Sequence, residues 1–272
     1  MQLAKRRIQN SLLSITLTFT LLVILKIYGT PVYRMQIWSG WILFALIIFL
    51  LLYNVRKKFP MLPLGNVAFW LQCHAYLGLV SCVMFLQHIN YQLPTGYFET
   101  LLALAFVLSA LAGIIGLILS RVIPKFLTRR GEEVIFERIP QHTENIRQQA
   151  QSLITECAKK TKSEVLFKYY QHHLASYFFG PKNVLYHLTG LSTPWHHMLI
   201  KHQTFCRFLS KEEQEFADQL QILMQKKDDL DFHYALQGLL KAWPFLHLPM
   251  SFAVLIFSFL HLTLVYAFIG GI

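Results

Sequence analysis

Residues 67–89 read VAFWLQCHAYLGLVSCVMFLQHI, and residues 242–271 read AWPFLHLPMSFAVLIFSFLHLTLVYAFIGG. Both runs are apolar and reach the about 20 residues that a helix needs to cross a bilayer. Each carries two histidines fourteen positions apart, His74/His88 and His247/His261, and no other histidine lies in a long apolar run. On an α-helix this spacing is close to four turns, so both rings leave nearly the same face, about 21 Å apart along the axis. Two such helices side by side present four imidazoles at two depths.

The composition agrees with a membrane location. Of the 272 residues, 54 % are apolar and 14 % charged, where soluble domains carry about a quarter charged. The net charge of +11 does not point to nucleic acid, because many basic residues flank hydrophobic runs, as the positive-inside rule requires. The four cysteines, Cys73, Cys82, Cys157 and Cys206, form neither CxxC nor CxxCH. Zinc-finger spacing, c-type haem attachment and a disulfide framework are therefore all missing from the sequence. Cys73 and Cys82 share one predicted helix and cannot bridge each other.

Five spans are expected, at roughly 11–29, 36–54, 66–89, 97–120 and 243–269. The first follows Lys5–Arg7 and lacks a small-x-small cleavage site, so it reads as an uncleaved helix. Lys26 near its far end reads as a snorkelling side chain. Trp38 and Trp41 anchor the second span, and Pro and Gly in PMLPLGN mark the turn after it. Basic clusters Lys5–Arg7, Arg56–Lys58 and Arg121–Arg130 gather at one set of ends, with Arg34 opposite. The N-terminus and the chain after the fourth span are thus expected on the cytoplasmic side. The third and fifth helices then run in the same direction, which sets His74 level with His247 and His88 level with His261.

Residues 125–241 differ: they are polar, hold most of the acidic residues and contain eight of the twelve histidines. Segments 144–160, 163–179 and 211–243 repeat apolar residues every three or four positions, as amphipathic helices do. Ser210 and Glu213 fit a capping box. The expected organisation is 1–124 as four membrane helices, 125–241 as a helical cytoplasmic insert resting on the membrane surface, and 242–272 as the fifth membrane helix. The fold class is all-α. Adjacent pairs His172–His173 and His196–His197 cannot face one way on a helix, and the insert's histidines read as surface or interfacial. Asp228, Asp229 and Asp231 read as a cap on the fifth helix or a solvated face, with an acidic docking patch or a proton path as the competing reading.

An ionisable side chain within a membrane span marks a functional site by default, and neutral imidazole is a common axial ligand of haem iron. Two haems are expected, one between His74 and His247 and one between His88 and His261. Gly78 and Ser81 on one helix, and Ser251 and Ser258 on the other, give room for a flat macrocycle or for close helix packing. The Ser109, Gly113, Gly116, Ser120 stripe of the fourth helix reads as plain packing. Pro249 removes a helical hydrogen bond and is expected to bend the helix near His247. Arg34 on one side, and Arg121, Lys125 and Lys241 on the other, are candidate partners for haem propionates, with a simple topological role as the competing reading.

The histidine spacing resembles the membrane domain of ferric reductases and NADPH oxidases and, more loosely, cytochrome b561. Trp243, His247, Pro249 and His261 are similar to the W–H–P…H pattern at the C-terminal end of bacterial di-haem b-type cytochromes. The resemblance implies four histidine ligands, two b-type haems and electron transfer across the inner membrane. The implied partners are lipid, a quinol or cytoplasmic donor and a periplasmic acceptor such as a cytochrome c, and the oligomeric state stays open. The chain departs from ferric reductases in having five expected spans rather than six. It also has no GxGxxG and no P-loop, so a relay dependent on partners at both faces is expected. A quinol or ferric reductase active without a partner, and a non-redox membrane scaffold, are the alternatives.

Overall fold

The computed structural model describes residues 2–28, 32–59, 65–130 and 134–269. Among these, helix is the only regular secondary structure and there is no strand. The helices are α1 (Gln2–Tyr28), α2 (Val32–Lys58), α3 (Val67–His88), α4 (Tyr97–Leu127), α5 (Ile139–Thr161), α6 (Val165–Tyr169), α7 (Ala175–Phe178), α8 (Val184–Thr189), α9 (Thr193–Cys206) and α10 (Lys211–Ile269). A 3-10 turn, Phe136–Arg138, leads into α5, and a π-helical turn, Tyr170–Leu174, joins α6 to α7. Five helices, α1 to α4 and α10, are long and apolar enough to cross a membrane.

The chain folds as two units, one of residues 1–117 with 244–272, the other of residues 118–243. In the first unit α2 packs along α3, and α1 touches both. Its interior holds Leu25, Leu43, Ile47, Val80, Met84, Phe106 and Val254, with Phe85 stacked on Phe106 at 4.3 Å. Most other large apolar side chains of these helices face outward, the pattern of a bundle whose solvent is lipid. Asn66 caps α3 by accepting from the Ala68 N–H at 2.9 Å. Polar side chains on the bundle find each other: Asn10 donates to Gln72 at 2.9 Å, Trp41 to the Tyr266 hydroxyl at 2.9 Å, and the Ser109 and Ser251 hydroxyls meet at 3.1 Å.

The second unit has the opposite plan, an apolar interior under a polar skin. On α5, Ile139, Ile146, Ala150, Ile154 and Cys157 are buried at helical spacing; on α10, Phe216, Ala217, Leu220 and Met224 meet them with Leu166, Leu174 and Phe178. The expected single helix over 163–179 is broken by the π turn. Its wider hydrogen-bond ring shifts the register, and Tyr170, Leu174, Tyr177 and Phe178 all become buried. Ser210 and Glu213 form the capping box at the start of α10, with the Ser210 N–H donating to Glu213 Oε2 at 3.0 Å and the Glu213 N–H donating to Ser210 Oγ at 3.4 Å.

Two expectations need correction. The fifth span is the last part of a longer helix, since α10 runs unbroken from Lys211 to Ile269 through Pro244 and Pro249. Consequently Asp228, Asp229 and Asp231 sit in mid-helix and cap nothing. Asp228 and Asp231 are buried, 1 % and 2 % exposed, because they belong to an ion-pair network. Lys227, itself fully buried, donates to both oxygens of Asp231 at 2.6 Å and to the Gly180 carbonyl at 2.8 Å. Arg130 donates to Asp228 and, at 2.8 Å, to Asp229. The insert's histidines are also not all superficial. His187, His202 and His233 are buried, and His233 Nε2 donates to the Arg130 carbonyl at 2.7 Å.

Candidate functional site

The four membrane histidines come together in two pairs within the first unit. The ring centres of His74 and His247 lie 6.2 Å apart with the planes at 88°, and those of His88 and His261 lie 6.3 Å apart, also at 88°. The order of the pairs means that α3 and this part of α10 run in the same direction. A metal–imidazole bond is about 2 Å, so imidazoles on opposite sides of one metal put their ring centres roughly 6 Å apart. Both levels have that separation.

The ring nitrogens are sorted into roles by α2, which runs antiparallel to α3. His74 Nδ1 lies 3.0 Å from the Leu50 carbonyl. His88 Nδ1 lies 3.1 Å from the Gln36 carbonyl and 3.2 Å from Ser39 Oγ, whose own proton goes to the Gln36 carbonyl at 3.0 Å. A carbonyl only accepts, so Nδ1 carries the proton in both rings and Nε2 keeps its lone pair. A ring N–H on a backbone carbonyl, with the other nitrogen left to bind, is the outer-shell arrangement usual for metal-ligating histidine. Gln36 and Leu50 are themselves fourteen positions apart, in register with the histidines they orient.

Space at the rings is set by glycines. A Cβ on Gly40 would stand 2.9 Å from Cε1 and 3.3 Å from Nδ1 of His88, so only glycine lets α2 come this close. A Cβ on Gly113 would meet His247 Cε1 at 3.4 Å. Gly113 belongs to the stripe read as plain packing, and the side chain it packs against is His247. Tyr53 borders His74 with ring centres 5.2 Å apart. His247 Nδ1 is buried and has no hydrogen-bond partner.

The remaining expected site residues are dispersed. A Cβ on Gly78 would meet nothing within 4 Å, so open space lies beside the face between His74 and His88. Ser81 is buried and donates to the Gly78 carbonyl at 2.8 Å. Ser251 donates to the His247 carbonyl at 2.9 Å and is thereby engaged in helix contacts. Arg34's side chain lies outside the described residues. Arg121 and Lys125 are exposed on the part of α4 that belongs to the second unit. Lys241 is not a free cation: it pairs with Glu137 and lies over the Phe136 ring, 4.4 Å from its centre.

Sequence reading missed Ser39, Gly40 and the two α2 carbonyls. The available signal was the small Ser39–Gly40 step between Trp38 and Trp41 in a run of otherwise large side chains. Among the described residues, no three His, Cys, Asp or Glu side chains converge as a metal cage. No family model, curated protein or solved structure matches the chain.

Proposed function

We propose that this multi-pass membrane protein is a di-haem b-type cytochrome of the bacterial inner membrane. In this reading five helices span the bilayer, with the N-terminus and the segment between the fourth and fifth spans in the cytoplasm. The observation that carries it is the repeated histidine pairing, 6.2 Å at one level and 6.3 Å at the other. His74 with His247, and His88 with His261, would each hold one haem. When bound, a haem supplies a one-electron couple between ferrous and ferric iron.

The chain's own residues do the rest. The Leu50 and Gln36 carbonyls and Ser39 fix the tautomer and direction of His74 and His88, and accepting from Nδ1–H makes Nε2 a stronger donor. Gly40 and Gly113 admit the neighbouring helices to ring contact. Outward-facing leucines, isoleucines and phenylalanines keep water from both levels. The protein would carry electrons across the membrane between a quinol or cytoplasmic donor and a periplasmic acceptor such as a cytochrome c.

The test is the optical spectrum and pyridine haemochrome content of the purified full-length protein. Two bis-histidine haems per chain are expected. His74→Ala and His88→Ala should each remove one of them and spare the other. A colourless wild-type protein, expressed with haem in supply, overturns the proposal.

A further inference from the structure

The second unit has a surface that the histidine pairs do not explain. From Val165 to Lys211 the chain contains no Asp and no Glu, yet it carries Lys168, Lys182, Lys201, Arg207 and Lys211 and half of the twelve histidines. The acidic residues of this unit lie before and after, on the flanks of α5 and on α10. The same stretch shows large apolar side chains to the outside. Phe179 is 83 % exposed, Leu185 75 % and Phe208 81 %, with Tyr186, Leu191 and Ile200 also exposed.

These side chains are held outward by what lies beneath them. In α8, Leu185 and Tyr186 are exposed while His187 is buried against Phe232 and Asp228. Gly190 ends the helix with φ +73, the left-handed position that favours glycine at a helix end. Just before α8, the Gly180 carbonyl is tied to the buried Lys227 ammonium at 2.8 Å. The segment is therefore anchored from inside while these side chains stay exposed. Lys182, Lys201 and Arg207 are exposed, and none of them is in an ion pair among the described residues.

We propose that the Val165–Lys211 stretch is a membrane-docking surface. Phe179, Leu185, Tyr186, Leu191, Ile200 and Phe208 would enter the interfacial layer of the leaflet, and Lys182, Lys201 and Arg207 would meet anionic phospholipid headgroups. Exposed aromatic and leucine side chains among basic residues are the composition of interfacial segments, and each basic group near an anionic leaflet adds attraction. The missing acids matter as much, because a single carboxylate in the layer would be repelled. This inference rests on the proposed membrane-spanning reading: lipid is favoured over a soluble protein as the occupant because α4 and α10 both run unbroken into sequence long and apolar enough to cross a membrane. The bilayer is thus tethered to this unit at both ends, at an effective concentration that a freely diffusing partner lacks.

The experiment is amide hydrogen exchange on the full-length protein in nanodiscs of phosphatidylcholine, with and without phosphatidylglycerol. It reads backbone protection and is independent of whether haem is bound. Peptides covering 179–191 and 200–208 should exchange on the order of tenfold more slowly in the anionic discs, with the gain reduced by salt. The F179S/L185S/F208S variant and the K182E/K201E/R207E variant should both lose that gain, while α5 peptides, which report the fold, stay protected. Equal exchange in both discs overturns the proposal. So does protection that arises only at raised protein concentration or on adding a second protein, which would make the surface a protein interface.

Discussion

The two units solve the burial of polar groups in opposite ways. In the first, imidazoles are each brought against another imidazole or a backbone carbonyl, and the buried Arg56 donates to the Phe59 and Gly65 carbonyls, while apolar side chains face out. In the second, the interior is apolar, and among the charges it contains Lys227 is matched by Asp231 and Asp228 by Arg130. The lesson lies in what each arrangement leaves unsatisfied. The first unit leaves the Nε2 lone pairs of His74 and His88 available. The second leaves His187 Nε2 and Asp228 Oδ1, 3.6 Å apart, without hydrogen bonds. Open lone pairs at matched spacing suit a ligand. A closed charge network suits a scaffold.

The strongest way to break that contrast is Lys227→Met. It leaves Asp231 as a buried carboxylate without its partner, which costs about 3–5 kcal/mol. Chemical denaturation followed through the second unit should show this loss, and Lys227→Met combined with Asp231→Leu should recover most of it, since a matched apolar pair restores packing. If the single variant were as stable as wild type, the network would not be holding the unit together.

Next in size is Gly40→Ala. The new Cβ must push His88 or α2 aside, at about 1–3 kcal/mol for an overpacked contact. Haem content at the His88/His261 level should fall while the His74/His247 level stays filled. Gly113→Ala adds only a 3.4 Å contact to His247 and should have the smaller effect, at the other level. Haem quantitation of the two variants, with spectra of each single-haem form as reference, ranks them.

The smallest effect is on pH. Burial lowers the pKa of His187 and of His202, whose Nε2 donates to the Ala217 carbonyl at 3.0 Å. Both therefore take up protons more readily when unfolded than when folded. Their contribution is thus present above the ordinary histidine pKa of about 6.5 and is lost below it, by at most about 1.4 kcal/mol per pH unit for each ring. Asp231, raised by burial to about 6, works in the opposite sense, because the folded state accepts its proton first. His202→Phe isolates one ring: its stability should fall less steeply than wild type between neutral and mildly acid pH. Parallel curves would assign the slope to other groups.

Much of the first unit was legible because its rules are local. A fourteen-residue spacing keeps two rings on one face whatever the helix packs against, and runs of about twenty apolar residues announce themselves. The second unit was legible as helices but not as a core. Lys227, Asp228 and Asp231 continue the helical stripe of Ala217, Leu220 and Met224, so their positions said "inside" while their charges said "outside". Charged residues are so rarely buried that the second signal prevailed. Lys227 and Asp231 find each other one turn apart, but the partner of Asp228, Arg130, stands almost a hundred residues away in the chain, and no local period could supply it.

By itself the sequence determined that the chain is helical, that several of its helices are apolar enough to cross a membrane and that four histidines stand in two equally spaced pairs. Periodicity, run length and composition carry that information within a single helix. Only the tertiary structure decided which nitrogens of His74 and His88 are held by α2, why position 40 must be glycine and why Asp228 and Asp231 are interior. Each of these depends on a distance between helices, and the approach of two backbones is set by side chains far apart in sequence.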